Sequence, residues 1–453
     1  MHRYRESQFV IDMTVTQSPS SSSIRPTAEW LDDAIFYGTM GLLMSGVLLF
    51  GSTEGWGQFV QRTAALVLFA LWGMRQYLRG EIELPRSPLY LPAFTFVGII
   101  VLQFITGATG YRYATLEEAL NLIPAGVLLL LSGGIFSRRQ KLHDLVLVMA
   151  IFGFCIALFA LTQDLLGADK IYWLVGPRED AISIYGPYIN RNHYAGLMEM
   201  LAPLAGAAAF LECGAKRNLL LFAATMMVVS IVFSRSRGGM LGLAVAMIFL
   251  SMMLFRMTRR YRTLLLTLAI AAAVVVVVLL LANGKTLQRL TETQDHYRLA
   301  IYKDCIGMWL HKPLFGFGWG TFPTIYPEYR SFFTNLRVNH AHNDYLELLV
   351  EMGLAGIAIV GWFLIGVFRE GFRKILTGND EKGTVLTLGA LTGVVALLAH
   401  SALDFNLHIA ANAAMFYVLC SAAATPFRHR VREPEVTSFE EDEEEPIIVN
   451  SPA

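Results

Sequence analysis

Apolar residues in this chain fall in long blocks separated by short charged punctuation, a pattern that neither a soluble amphipathic helix nor an alternating strand produces. A window of about 19 apolar residues is long enough to cross a bilayer as a helix. Such windows predict spans at 33–51, 59–78, 88–106, 116–136, 143–166 and 193–212, and a second set at 218–234, 238–255, 263–282, 345–368, 385–402 and 409–425. The expected fold is therefore all-α and polytopic, with about 12 transmembrane helices. The connections are short except at 283–344, which interrupts the pattern between the ninth and tenth spans. Within it, Leu287 to Trp309 mixes apolar spacings of three and four and predicts one or two amphipathic helices, while Pro313 to Pro327 reads as Gly- and aromatic-rich loop.

The implied organisation is a tail at 1–32, transmembrane helices at 33–282, an extramembrane loop domain at 283–344, further transmembrane helices at 345–425 and an acidic, disordered tail at 426–453. Composition agrees. The 453 residues are 55% hydrophobic and 16% charged, with mean hydropathy +0.49, whereas soluble domains carry about 25% charged residues. With 36 basic and 36 acidic side chains the net charge is zero, which argues against a nucleic-acid partner.

The placement of the charges says more than their sum. On the side of the N-terminal tail and every second connection lie 22 Lys and Arg, among them Arg75, Arg79, Arg138, Arg139, Lys141, Arg256 and Arg369, against 13 on the other side, seven of those in the long segment. Basic residues gather on the cytoplasmic side in short loops, so both tails are expected to be cytoplasmic and 283–344 periplasmic. No cleavable signal peptide is expected, because the first apolar stretch lies behind a polar tail and leads directly into further spans. Cys155, Cys213, Cys305 and Cys420 have no spacing that suggests a bridge or a zinc cluster.

Three polar clusters lie at the outer boundary, where an arginine persists only if something compensates its cost. They are Asn190-Arg191-Asn192-His193, Ser234-Arg235-Ser236-Arg237-Gly238-Gly239, and Asn339-His340-Ala341-His342-Asn343-Asp344 continuing to Glu347. Each has a plainer reading. The second is a hairpin whose arginines snorkel to headgroups, and in the third Asp344 and Glu347 could form a capping box. A metal reading would pair His340 and His342 with His296 or His311, without any recognisable zinc spacing. Together, however, the clusters place helix N-termini beside Arg191, Arg235, Arg237 and Arg298, a combination suited to a diphosphate. Histidine adds a group that accepts a proton near neutral pH. Outside the cytoplasm no nucleotide is available, so the substrate must bring its own activated phosphate, as a polyprenyl-diphosphate-linked sugar does.

Arg298-Leu299-Ala300-Ile301-Tyr302, His311-Lys312-Pro313-Leu314-Phe315-Gly316-Phe317-Gly318-Trp319-Gly320, the run from His340 to Leu349, and Glu351-Met352-Gly353 resemble the O-antigen ligase and polymerase superfamily; so do the Ser236-Arg237-Gly238-Gly239 turn and the Asn190–His193 segment. The resemblance covers roughly 185–370 by motif. It implies a metal-independent inner-membrane glycosyltransferase with no cofactor, using an undecaprenyl-diphosphate-linked glycan donor. It assigns His342 as the base, with His340 as second choice, and Arg298, Arg237 and, less specifically, Arg191 as diphosphate ligands. The expected partners are that donor, membrane lipids, and the lipid A core or another glycan acceptor. A ligase is the first reading and an O-antigen or exopolysaccharide repeat-unit polymerase the second, with a protein O-glycosylation acceptor as a variant. A non-enzymatic transporter of twelve helices is a third, disfavoured by the scarcity of mid-membrane charge.

Overall fold

A computed structural model describes residues 21–176, 184–259, 295–335, 337–378 and 380–426. The expected span at 263–282, the first part of the 283–344 domain, the His296 side chain and the acidic tail lie outside the described residues. Among those residues the fold is all-α: no strand forms, and Ile171–Val175 and Tyr185–Tyr188 are isolated bridges. The helices are α1 Ser21–Leu48, α2 Gly55–Arg79, α3 Tyr90–Thr106, α4 Arg112–Leu120, α5 Leu122–Phe136, α6 Arg139–Leu165, α7 Arg191–Leu211, α8 Gly214–Phe233 and α9 Arg237–Thr258. After the gap come α10 Asp295–His311, α11 Phe322–Ile325, α12 Asp344–Thr377, α13 Glu381–His400 and α14 Ala410–Ala424.

Every expected span outside 263–282 falls on a helix. Among the described residues, seven helical segments are both long and apolar enough to cross a membrane: Arg112–Phe136, which joins α4 to α5, with Gln140–Leu165, α7, α8, α9, α12 and α13. Helices α3 and α14 are apolar but shorter. The chain is thus a multi-pass membrane protein, and the expected count of twelve spans exceeds the seven segments that satisfy both criteria.

Helices α7 and α13 form the centre, with 78% of each apolar window buried, against 28% for α8. Small residues let them approach closely: a Cβ added at Gly389 would lie 2.6 Å from Ala207 Cβ, and one at Gly393 would lie 2.9 Å from Met200 O. This is how membrane helices pack when lipid removes the hydrophobic drive between them.

The extramembrane segment has its own small core, built by Ile301, Cys305 and Met308 of α10 with Phe317, Phe322, Tyr326, Ala341 and Val350. What holds it to the membrane part is a break in α12. Gly353 sits at φ 61°, ψ −159°, a region open essentially to glycine alone. The break frees backbone groups on both sides of it. The Gly-rich loop satisfies them: Phe317 N donates to Val350 O at 2.9 Å, Gly318 N to Glu351 O at 2.9 Å, Leu354 N to Pro313 O at 2.9 Å and Ala355 N to Leu314 O at 3.0 Å. The buried Glu351 carboxylate adds bonds from Gly320 N and Phe322 N, both at 2.9 Å. Two of the motifs that carry the family resemblance therefore interlock with each other.

Candidate active site

The site is assembled around the turn at 400–408 between α13 and α14, onto which three other elements converge. From α12 comes the motif preceding the helix. Asn343 caps it, its side-chain oxygen accepting from Tyr345 N at 3.0 Å and Leu346 N at 3.1 Å, while its amide donates to Ala402 O at 3.0 Å. Asp344 N also donates to Ser401 O at 2.9 Å. Asp344 and Glu347 therefore do not form the capping box that their spacing suggested. The Asn343 oxygen already serves the first turn, and both carboxylates turn to histidines instead.

His408 lies between them, its Nδ1 2.8 Å from Asp344 Oδ1 and its Nε2 3.3 Å from Glu347 Oε1. Burial pushes this imidazole down, but Glu347 and Asp344 more than offset burial and hold it protonated well above its ordinary value. Glu347 also receives His340 Nδ1 at 2.8 Å and Ala341 N at 2.8 Å. His340, Glu347 and His408 offer one ligand atom each within 4.8 Å of one another, the one group of this kind among the described residues. It is a different set from the one suggested by sequence, which joined His340 to His342.

His342 is held differently. It occupies the left-handed region at φ 52°, and Tyr302 OH of α10 fixes the turn by donating to its carbonyl at 2.9 Å. Its Nδ1 is 3.4 Å from Asp404 Oδ1, with 29% of the imidazole side chain exposed against 1% of the aspartate. Asp404 further accepts from Phe405 N at 2.9 Å and from the Asn192 amide. Burial pushes the Asp404 carboxyl up, but the His342 bond and the surrounding imidazoles of His193, His342 and His400 outweigh it and leave the carboxyl well below the usual range. With Nδ1 turned to an ionised carboxylate, Nε2 is the nitrogen left for substrate. His340 has the same arrangement: its Nδ1 meets the buried Glu347 carboxylate at 2.8 Å, and its ring stacks on Phe405 at 4.1 Å.

The second converging element is the start of α7. Asn190 caps it by accepting from Asn192 N at 2.9 Å, and the next residues lace it to the turn. Asn192 reaches Asp404, His193 lies edge-on to Phe405 at 4.7 Å, and a Cβ at Gly196 would lie 2.2 Å from Asn406 Oδ1. Arg191 is thus the neighbour of a residue that touches the His342–Asp404 pair.

The third is the α8–α9 turn. Arg235 takes the left-handed conformation at φ 57°, and Ser236 caps α9 by accepting from Gly239 N at 3.1 Å. A Cβ at Gly238 would lie 2.3 Å from His400 Cδ2 and one at Gly242 2.4 Å from Glu199 Oε2, so these glycines make room for a buried His400–Glu199 pair at 3.0 Å. Arg237 therefore begins α9 directly against the end of α13. Arg298 of α10 closes the ring, with Nη1 3.2 Å from Leu403 O. Arg298 reaches the turn directly, and Arg191 and Arg237 adjoin it through their chain neighbours Asn192 and Gly238. Arg235 leans the other way, toward Asp164 of α6 at 3.4 Å.

Sequence reasoning missed Asp404, His408, His400 and Glu199. A signal existed: Ser401 to His408 is a short polar connection holding Asp, Asn and His between two apolar spans, on the same side as the three clusters. Of the aromatics in the Gly-rich loop, Phe317 is buried in the small core and Trp319 is packed between Phe96 and His408.

No curated protein matches the sequence at a significant level. Residues 222–361, which hold Arg235, Arg237, Arg298, His340 and His342, match the family model described as O-antigen ligase.

Proposed function

We propose that the protein transfers a glycan from an undecaprenyl-diphosphate carrier to a hydroxyl acceptor, with the lipid A core as the first acceptor to test, at the periplasmic face of the inner membrane. The family match supports a membrane glycosyltransferase of the O-antigen ligase or polymerase type. The observation that carries the finer reading is the convergence of three arginine-bearing elements on the turn that holds Asp404 against His342.

In this reading Arg298, Arg237 and Arg191 bind the diphosphate and stabilise the charge that develops as the bond from the anomeric carbon to the diphosphate oxygen breaks. The acceptor oxygen attacks that carbon from the opposite side and inverts it. Its proton passes to His342 Nε2, and undecaprenyl diphosphate leaves with the bonding pair. Asp404 is a positioning residue: it keeps the Nδ1 proton of His342 in place and balances the imidazolium that forms. His340, with its own Nδ1 on Glu347, is the second choice for the base. No step calls for a metal.

The test is deletion of the gene followed by complementation. Loss of polymer from the lipid A core with carrier-linked polymer retained supports the ligase, and His342→Ala, expressed and folded, should fail to restore it. A purified His342→Ala protein should lose on the order of 10² to 10⁴ in transfer rate while binding donor normally. Single repeats in place of long chains would make the protein a polymerase. Unaltered surface glycans, or full activity of His342→Ala, would overturn the reading.

A further inference from the structure

At the end of the bundle opposite the candidate site, four basic residues meet an apolar cleft. The rise of α1 from Asp32 to Leu48 is about 24 Å at 1.5 Å per residue, close to the thickness of a bilayer's hydrocarbon core. Beyond Leu48, a Cβ at Gly51 would lie 2.7 Å from Tyr188 Cε1 and 3.2 Å from Ile409 Cγ2, which places that end beside the starts of α7 and α14. Asp32 marks the other end. There it accepts from Arg75, from Arg79 at 2.8 Å and from Arg138 at 3.3 Å. Lys141 pairs with Asp33 at 2.7 Å and lies over the Phe36 ring at 4.4 Å. Glu83 is 3.7 Å from Arg75 and 3.5 Å from Arg79.

The cations Arg75, Arg79, Arg138 and Lys141 thus face Asp32, Asp33 and Glu83, leaving positive charge in excess. The donor imbalance is larger. Asp32 and Glu83 together accept about eight hydrogen bonds and Gln76 Oε1 takes one more from Arg75, whereas three guanidinium groups carry about fifteen N–H donors. Beside them the cleft between α1, α2, α5 and α6 continues as apolar wall, through Trp72, Leu131 and Ile135. Arg138 immediately precedes α6, a membrane span, so the charged mouth lies at headgroup level and the apolar wall at acyl-chain level.

We propose that this cleft binds one anionic phospholipid, its phosphate at Arg138 and Lys141 and an acyl chain along Trp72 and Ile135. The position favours a lipid over a free anion, because the apolar wall continues from the charged mouth toward the bilayer interior and a free anion would leave it uncovered. The site is independent of the glycan chemistry at the far end.

The test uses the full-length protein in detergent and native mass spectrometry with added phosphatidylglycerol or phosphatidylcholine of identical chains. Wild type should retain one phosphatidylglycerol and no phosphatidylcholine. Occupancy should fall at least about tenfold in Arg138→Gln/Lys141→Gln, the loss expected when charge-assisted phosphate bonds are removed. Equal retention of the two lipids, or unchanged retention by the double variant, would refute the proposal. If inorganic phosphate raises the thermal midpoint as much as phosphatidylglycerol does, the cleft is a free-anion site and the lipid assignment fails. Should the double variant not fold, Arg138→Gln alone carries the comparison, because 46% of that side chain is exposed.

Discussion

Replacing Asp404 with asparagine probes the link between the turn and His342 with almost no change in shape. The carboxylate is buried and accepts from three groups: His342 Nδ1, the Asn192 amide and Phe405 N. An amide has one oxygen and a nitrogen that only donates. If its oxygen stays where Oδ1 was, it keeps both Phe405 N and His342 Nδ1, and its nitrogen faces the Asn192 amide. A buried group left without its partner costs about 1–3 kcal/mol, so the thermal midpoint should fall by a few degrees while the fold persists. The larger effect is on the proton. The neutral amide keeps the Nδ1 contact but carries no charge to balance the imidazolium that forms when Nε2, the atom that is to accept from the sugar hydroxyl, takes the proton. Losing general-base assistance of 10² to 10⁴ raises the barrier by about 3–5 kcal/mol. The assay is glycan transfer from carrier-linked donor by purified protein, alongside donor affinity, which should be unchanged because the arginines are untouched. A folded Asp404→Asn protein that transfers at the wild-type rate would refute the positioning role and remove the His342–Asp404 pair from the mechanism.

Further outcomes follow from the same geometry. Arg298→Lys should impair transfer despite keeping its charge, because a lysine cannot span the carbonyl of Leu403 and a phosphate with one planar fork; an active lysine variant would reduce the role to charge placement. Gly353→Ala should release the Gly-rich loop, since a Cβ there would lie 2.4 Å from Leu314 C at a φ of 61°, a strain of about 1–3 kcal/mol before any clash is counted; limited proteolysis between Lys312 and Gly320 reads it out. The pH dependence of stability has a definite sign. His408 has a raised value in the folded protein, so its contribution is fully present below the unfolded value of about 6.5 and is lost as pH rises through the folded one. Asp404 has a lowered value, so its contribution is present above the unfolded value of about 3.9 and is lost as pH falls through the folded one. The thermal midpoint in detergent should therefore be highest between about pH 4 and 6.5 and decline above that range; a His408→Gln protein with the same alkaline decline would contradict the assignment. Chelators should leave transfer unchanged, and a rate lost to chelator and restored by zinc would move the chemistry to His340, Glu347 and His408.

The periodicity of the sequence determined the helices, because a bilayer forces every backbone polar group to be satisfied within its own segment. Blocks of apolar residues between charged connections therefore placed spans on helices at every described position. Local sequence also marked Asn190, Ser236 and Asn343 as polar residues at helix starts, since caps act within three residues. It did not decide which helices lie at the centre. Burial of α7 and α13 depends on small residues meeting across helices, as Gly389 does with Ala207, and no single segment reveals its partner. The partners of the histidines were likewise hidden. His340 and His342 are two residues apart and equivalent by pattern, yet one is bound to Glu347 seven residues on and the other faces Asp404 sixty-two residues away. The ring's chemistry follows from that second bond, and a turn between the last two helices supplies it. Only the packing of the turn between α13 and α14 against α7 and α10 brings Asp404, His342 and Arg298 to one place.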